Sequence, residues 1–304
     1  DCSVAVGWRS YARSRCEKAT LIMREGIKRA PGFWPRATLF YLYLLFLYGP
    51  IFIIVVLSFQ GENASLSFPM QGFSLYYFSE VFDPHYIGDY RWPFGRSVIL
   101  GLIVMVLTMG ISFLAGLAFR KNFKGNILVF YLVVASLICP SILISLGIGI
   151  GFSNLGLTSQ WWSGGLGAHL SWTLPFGVLI MLAVFSRLDP RLEEAAKDQG
   201  ATQWQTLRHV TIPITLPGLV GVALFGFTLS YDEYPRISNV AGEHNSLPVE
   251  LVNALALAAT PTIYAIGTMT TLFSLLVIFA SFVVVYFMQR RRRGYGAKKM
   301  LKEA

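Results

Sequence analysis

The chain has 304 residues, 54% of them hydrophobic and only 13% charged, where a soluble domain carries roughly 25% charged residues. That deficit excludes an ordinary water-soluble domain and points to lipid as the solvent of much of the surface. A formal net charge of +9 would suit a nucleic-acid binder. The positive residues instead gather at the ends of apolar runs, where membrane topology asks for them, which excludes that use.

Residues 1–38 form a basic tail. The stretch before Met23 has no clear pattern, and Met23 is a candidate native start. No signal-peptide pattern fits, because the first long apolar run begins near Leu39 and continues for a full span. Six apolar runs follow, at 39–59, 97–119, 126–152, 166–185, 218–234 and 263–287. Several reach the ~20 residues needed to cross a hydrocarbon core. They predict an all-α polytopic membrane protein with six transmembrane helices over residues 39–289, then a second basic tail at 290–304. Pro140 and Pro175 are expected to kink their helices, since membrane helices tolerate proline where neighbours satisfy the freed carbonyls.

Between the first two runs, residues 60–94 are rich in Tyr, Phe, Gly and the acids Glu62, Glu80, Asp83 and Asp89. They read as a small cap facing a soluble partner or as an ordinary wet loop. Residues 247–259 are apolar but too short to span, and predict an interfacial or re-entrant helix. Twenty-two of the lysines and arginines fall in the two tails and in the loops at 120–124 and 187–208. Only Arg91, Arg96 and Arg236 fall on the other side. That asymmetry puts both termini in the cytoplasm.

The charged insertion at 187–217 separates the fourth and fifth runs. Asp189 is a good N-cap, and Pro190 suits the first helical position. Glu193 and Glu194 then sit in the early turns, where the helix dipole favours them. Gly200 supplies a left-handed C-cap. Thr202 with Gln205 forms a capping-box pattern that starts a second helix, which Pro213 is expected to stop. Two short helices with a glycine elbow are more than a connector needs, since connections have a median of ~4–6 residues. Ala195 and Ala196 are small enough for a partner backbone to approach. Glu194 can accept charge-assisted hydrogen bonds across such a contact.

Glu194-Ala195-Ala196, three residues, Gly200, nine residues, Val210-Thr211-Ile212-Pro213 resembles the signature loop of permease subunits of ATP-binding-cassette importers. Val210 and Ile212 replace the usual Ile and Leu, both apolar swaps. Residues 187–201, 226–233, 247–251 and 72–77 extend the likeness to the polyamine-importer permeases of spermidine/putrescine type. The resemblance covers roughly residues 41–286, and the N-terminal tail departs from it. It implies a type I importer permease fold in a bacterial inner membrane. It also implies three partners besides lipid: an ATPase dimer holding ATP and Mg2+, a second homologous permease subunit in a heterodimer, and a periplasmic binding protein. Glu193, Glu194, Ala195, Ala196, Asp198, Gly200 and Pro213 would then carry coupling to the ATPase. The sequence contains no Gly-Lys pair, so it has no P-loop and no cofactor site of its own.

Asp232 and Glu233 close the fifth run, with Tyr231, Tyr234 and Arg236 beside them. Acids within the membrane default to a functional reading. They would suit a cationic solute, the tyrosines offering aromatic faces to it. The bland alternative is that both acids meet water at the outer edge. Arg236 could neutralise one acid or clamp a solute carboxylate, which leaves zwitterionic compounds open. His85, His169, His209 and His244 share no metal-binding spacing, and Cys2, Cys16 and Cys139 form no disulfide framework. Trp161, Trp162 and Trp172 suit an outer aromatic belt, and Gly218, Gly221 and Gly226 suit close packing against a partner helix. An ion-gradient-driven secondary transporter is the alternative, but no inverted repeat or midplane charge pattern marks one. No nucleophile–base constellation marks an enzyme.

Overall fold

The computed structural model describes residues 32–62, 69–82, 90–121, 123–257 and 260–303, with side chains at 257, 288, 289 and 291–303 left aside. The expectations for the N-terminal tail, Asp83, His85, Asp89 and the C-terminal basic side chains lie outside the described residues. Two units divide the chain, residues 1–53 and 54–304. Among the described residues the first is the bulk of helix α1, Phe33–Leu57. No charge interrupts α1 or its exit between Ala37 and Phe59.

Every regular element among the described residues of the second unit is a helix. It contains α2 (Tyr76–Glu80), α3 (Arg91–Phe119), α4 (Asn126–Ile138), α5 (Ser141–Asn154) and α6 (Gly164–Phe185). Then come α7 (Arg191–Asp198), α8 (Gln203–Thr206), a π-helical turn (Leu207–Thr211), α9 (Ile212–Tyr231), α10 (Leu247–Leu257) and α11 (Thr262–Glu303). Among the described residues, five helical stretches are long and apolar enough to cross a bilayer, and the α4–α5 pair makes a sixth span if counted as one.

Pro140 does more than kink the third span. The α4 and α5 axes meet at 106°. Cys139 and Pro140 are both extended, with ψ near 128° and 129°. Proline clashes with a helical residue before it and drives that residue out of the α region. Pro175, by contrast, lies inside an unbroken α6. The fifth span starts well before residue 218, because the helical path runs continuously from Gln203 to Tyr231. Pro213 therefore does not stop the second helix of the elbow. It occupies the opening of α9, where the absent N–H costs least, just after the π turn closes with Ile212 N–H on the Leu207 carbonyl. At the C-terminal end, α11 carries the backbone helix on through the predicted tail to Glu303.

The core is the packing of α3, α6 and α9 on one another. In lipid no hydrophobic force drives helices together, so close contact between small residues must do it. A Cβ on Gly177 of α6 would meet Ser112 Oγ of α3 at 2.3 Å. One on Gly218 of α9 would meet Val184 Cγ2 of α6 at 2.4 Å. Gly226 faces Met105 and Thr108 of α3, whereas Gly221 meets nothing within 4 Å. Gly218 and Gly226 thus serve contacts within this chain. Buried polar pairs lock the same interfaces: Thr108 with Thr173 at 2.8 Å, and His169 Nδ1 with Ser230 Oγ at 2.9 Å. His169 is structural here, and no metal-binding cluster occurs among the described residues.

The described part of the outer segment is folded onto the unit. Buried Gln60 accepts the Gln71 N–H at 2.8 Å, and Ser74 N–H returns to the Phe59 carbonyl at 2.9 Å. Glu80 does not face a partner. It is buried and accepts the Thr262 hydroxyl at the start of α11. The short apolar helix α10 is present as expected and packs against α3.

Candidate functional site

The elbow at 187–217 is built by local capping. Asp189 Oδ1 accepts the Arg191 N–H at 3.0 Å, so the aspartate caps α7 although the helix opens one residue later than expected. At the other end Gly200 has φ +83°. Its N–H bonds the Lys197 carbonyl at 2.8 Å, and Ala201 N–H bonds the Ala196 carbonyl at 3.0 Å. These are the two bonds of a Schellman motif, which satisfies carbonyls the helix end would orphan. Thr202 and Gln205 form the reciprocal capping box, with bonds of 2.8 and 3.3 Å. The helix pair and its turn, residues 189–205, are therefore stiff through their own hydrogen bonds.

Its predicted coupling residues divide into two sets. Glu194, Ala195, Asp198 and Gly200 are exposed, and Ala196 lines a shallow groove of about 440 Å³ with Gly200, Gln205 and His209. Glu193 faces inward instead. Its two carboxylate oxygens accept Arg120 Nη1 and Nη2 at 2.8 and 2.9 Å, and Oε1 also accepts the Thr211 hydroxyl at 2.7 Å. The Arg120 bonds hold its carboxyl below the ordinary glutamate range. Partial burial opposes that, while Thr211 supports it. Pro213 is half-buried at the base of α9. Sequence reasoning missed Arg120 and Thr211, because 73 and 18 residues separate them from Glu193. It also missed the exposed apolar residues Leu192 and Trp204, 48% and 65% accessible. The signal for Trp204 was a lone large aromatic between Gln203 and Gln205.

The other predicted residues do not converge on one open site. Tyr231 is buried among aromatic rings, 5.8 Å from Phe227 and 5.2 Å from Phe273. Tyr234 is half-buried and packs beside Leu100, Val104 and Ile237. Arg236 is wholly inaccessible. Its Nη1 donates to Ser171 Oγ at 2.8 Å, and its guanidinium lies 4.7 Å from the Trp172 ring. Trp172 thus braces Arg236. Glu233 stands 3.7 Å from Arg236 Nε as its counter-ion. Asp232 is the exposed acid of the pair.

A bundle of glycine-packed spans that carries a self-capped, exposed elbow on one face is the architecture of an integral-membrane subunit. The comparisons say which kind. The family model described as "Binding-protein-dependent transport system inner membrane component" matches residues 20–294, and the chain belongs to that family. It is an inner-membrane permease subunit of a binding-protein-dependent importer, and ATP hydrolysis is done by a partner subunit. The chain is 28% identical over 254 residues to the spermidine/putrescine permease PotC of Haemophilus influenzae, covering 82% of this chain and 95% of that one. It is 27% identical over 241 residues to PotC of Escherichia coli K12, covering 78% and 88%. A trehalose/maltose permease, MalG of Thermococcus litoralis, is 29% identical over 53% of this chain and 58% of its own length. A bacterial ABC transporter that imports the acidic polysaccharide alginate shares the fold, with a TM-score of 0.59 and 14% identity over 93% of this chain and 98% of that one.

Proposed function

We propose that the chain pairs with a second, homologous permease subunit to form the pathway for a polyamine or a related amino compound. Both termini lie in the cytoplasm, and the elbow docks on an ATPase dimer that binds ATP with Mg2+. A periplasmic binding protein delivers the solute to the opposite face. The observation that carries the docking role is the exposure of Leu192, Glu194, Ala195 and Trp204 on a capped helix pair. Trp204 belongs to the residue type most enriched at interface hot spots, and Ala195 is small enough for a partner backbone to approach. Glu194 is the acid among them that can pair with a cation on the ATPase.

At the other face Asp232 is the uncommitted acid, since Glu233 serves Arg236. The names of the two PotC relatives supply the polyamine reading. The swap Glu194→Lys tests the docking role. The subunit should still insert and assemble with its permease partner, while ATP-driven uptake is lost. Uptake at the wild-type rate in that variant would remove Glu194 from the contact.

A further inference from the structure

We infer that Glu193 is a coupling pin: with Arg120 and Thr211 it fastens the elbow to the inner end of α3 and to the base of α9, so that a push on α7 moves two spans together. The inference rests on the reading of the elbow as the ATPase contact. Chain connectivity alone joins α7 to α6 through residues 186–190 and to α9 through residues 199–211. It gives α7 no link to α3. The link is the fork of Arg120, the residue that follows α3, closing on both oxygens of Glu193 at 2.8 and 2.9 Å. A bidentate fork fixes orientation as well as distance, which one point contact does not. Arg120 is itself held over the Phe185 ring at 5.5 Å, so the end of α6 enters the same junction.

The second arm is the more telling one. Thr211, 2% exposed, donates to Glu193 Oε1 at 2.7 Å. Thr211 ends the π turn, and Pro213 follows two residues later without a donor. Wide turns and prolines are where helices bend. The path from elbow to α9 therefore has its softest point at residues 207–213. A push delivered only along the backbone would be absorbed there as bending. The Glu193–Thr211 bond spans that point directly from α7. Glu193 is thus a positioning residue of the importer, and its role differs from that of its exposed neighbour Glu194.

The test uses the whole complex, both permease subunits with the ATPase, in proteoliposomes with the binding protein. The readouts are assembly, ATP hydrolysed and solute imported. Arg120→Met and Thr211→Val should assemble and hydrolyse ATP while the ATP spent per solute rises about five- to tenfold, the lower end of the usual range of coupling effects. Thr211→Ser should behave as wild type. The exchange Arg120→Glu with Glu193→Arg should recover part of the lost uptake. An unchanged ATP-to-solute ratio in both Arg120→Met and Thr211→Val overturns the pin. So does a loss of uptake that only tracks loss of assembled complex. Wild-type uptake that proceeds without the ATPase overturns the elbow reading instead, which separates the two failures.

Discussion

Replacing Arg236 by methionine separates a structural brace from a solute contact. The guanidinium is wholly inaccessible, bonded to Ser171 at 2.8 Å and seated 4.7 Å from the Trp172 ring. A hydrogen bond from a charged donor contributes ~1.5–3 kcal/mol, and a desolvated cation–π contact ~2 kcal/mol. Removing one member of a buried ion pair costs ~3–5 kcal/mol in all, because the other charge is left alone. Here Glu233 keeps 15% of its side chain exposed, so water reaches it and the loss is smaller. Relief of burying a cation whose Nε and Nη2 have no hydrogen-bond partner reduces it further. The balance is a loss of about 2 kcal/mol. At ~2–4 °C per kcal/mol for a chain of this order of size, Arg236→Met should lower the melting temperature of the detergent-solubilised complex by about 4–8 °C. Adding Glu233→Gln should recover part of that. Arg236→Lys should recover little, because an ammonium lacks the planar face that stacks on Trp172. An unchanged melting temperature together with altered solute selection would refute the brace and return Arg236 to the pathway.

Gly177→Val should weaken the α3–α6 contact by ~1–3 kcal/mol through overpacking, and Ser112→Ala should relieve part of it in a double-mutant thermal-shift measurement, since Ser112 Oγ is the nearest atom. Equal melting temperatures for Gly177→Val and wild type would mean these helices do not meet there. The Glu193 clamp gives a pH signature. Its carboxyl is held below the ordinary glutamate value by Arg120, with Thr211 and the charge of Lys197 assisting. The clamp's stabilisation is therefore complete above about pH 4.3 and is lost as pH falls through the depressed value. The melting-temperature gap between wild type and Glu193→Gln should stay constant from pH 7 to about pH 5 and close below that; a gap that widens in acid would reverse the assigned sign. Asp232→Asn should raise the KM for a cationic solute about two- to fivefold, the scale of an exposed ion pair. An unchanged KM would free Asp232 of any solute contact.

What the sequence disclosed here was local. Gly200, Thr202 and Gln205 announced the elbow's caps because a Schellman turn and a capping box are each written within six residues of chain. Run lengths announced the spans for the same reason. The errors came where a local rule met a longer context. Pro213 reads as a stop, yet at the opening of a new helical segment its missing donor costs little, so the helix runs through. Pro140 reads as a kink, yet with Cys139 also extended it breaks the span. The inward turn of Glu193 and the burial of Arg236 were illegible. The partners that fix them, Arg120 and Ser171, lie 73 and 65 residues away, and nothing in local spacing pairs them. Two adjacent glutamates in α7 thus look alike in sequence, although one is exposed and the other is a clamp.

On the proposed mechanism this chain moves solute only when a nucleotide-hydrolysing partner drives its elbow. Purified permease pair and binding protein, reconstituted in vesicles with and without the ATPase subunit, test this most directly through uptake of labelled putrescine or spermidine. Uptake should appear only with the ATPase and ATP present, and should stop when Glu194→Lys replaces the wild-type subunit. Accumulation of solute in vesicles that lack the ATPase would contradict it.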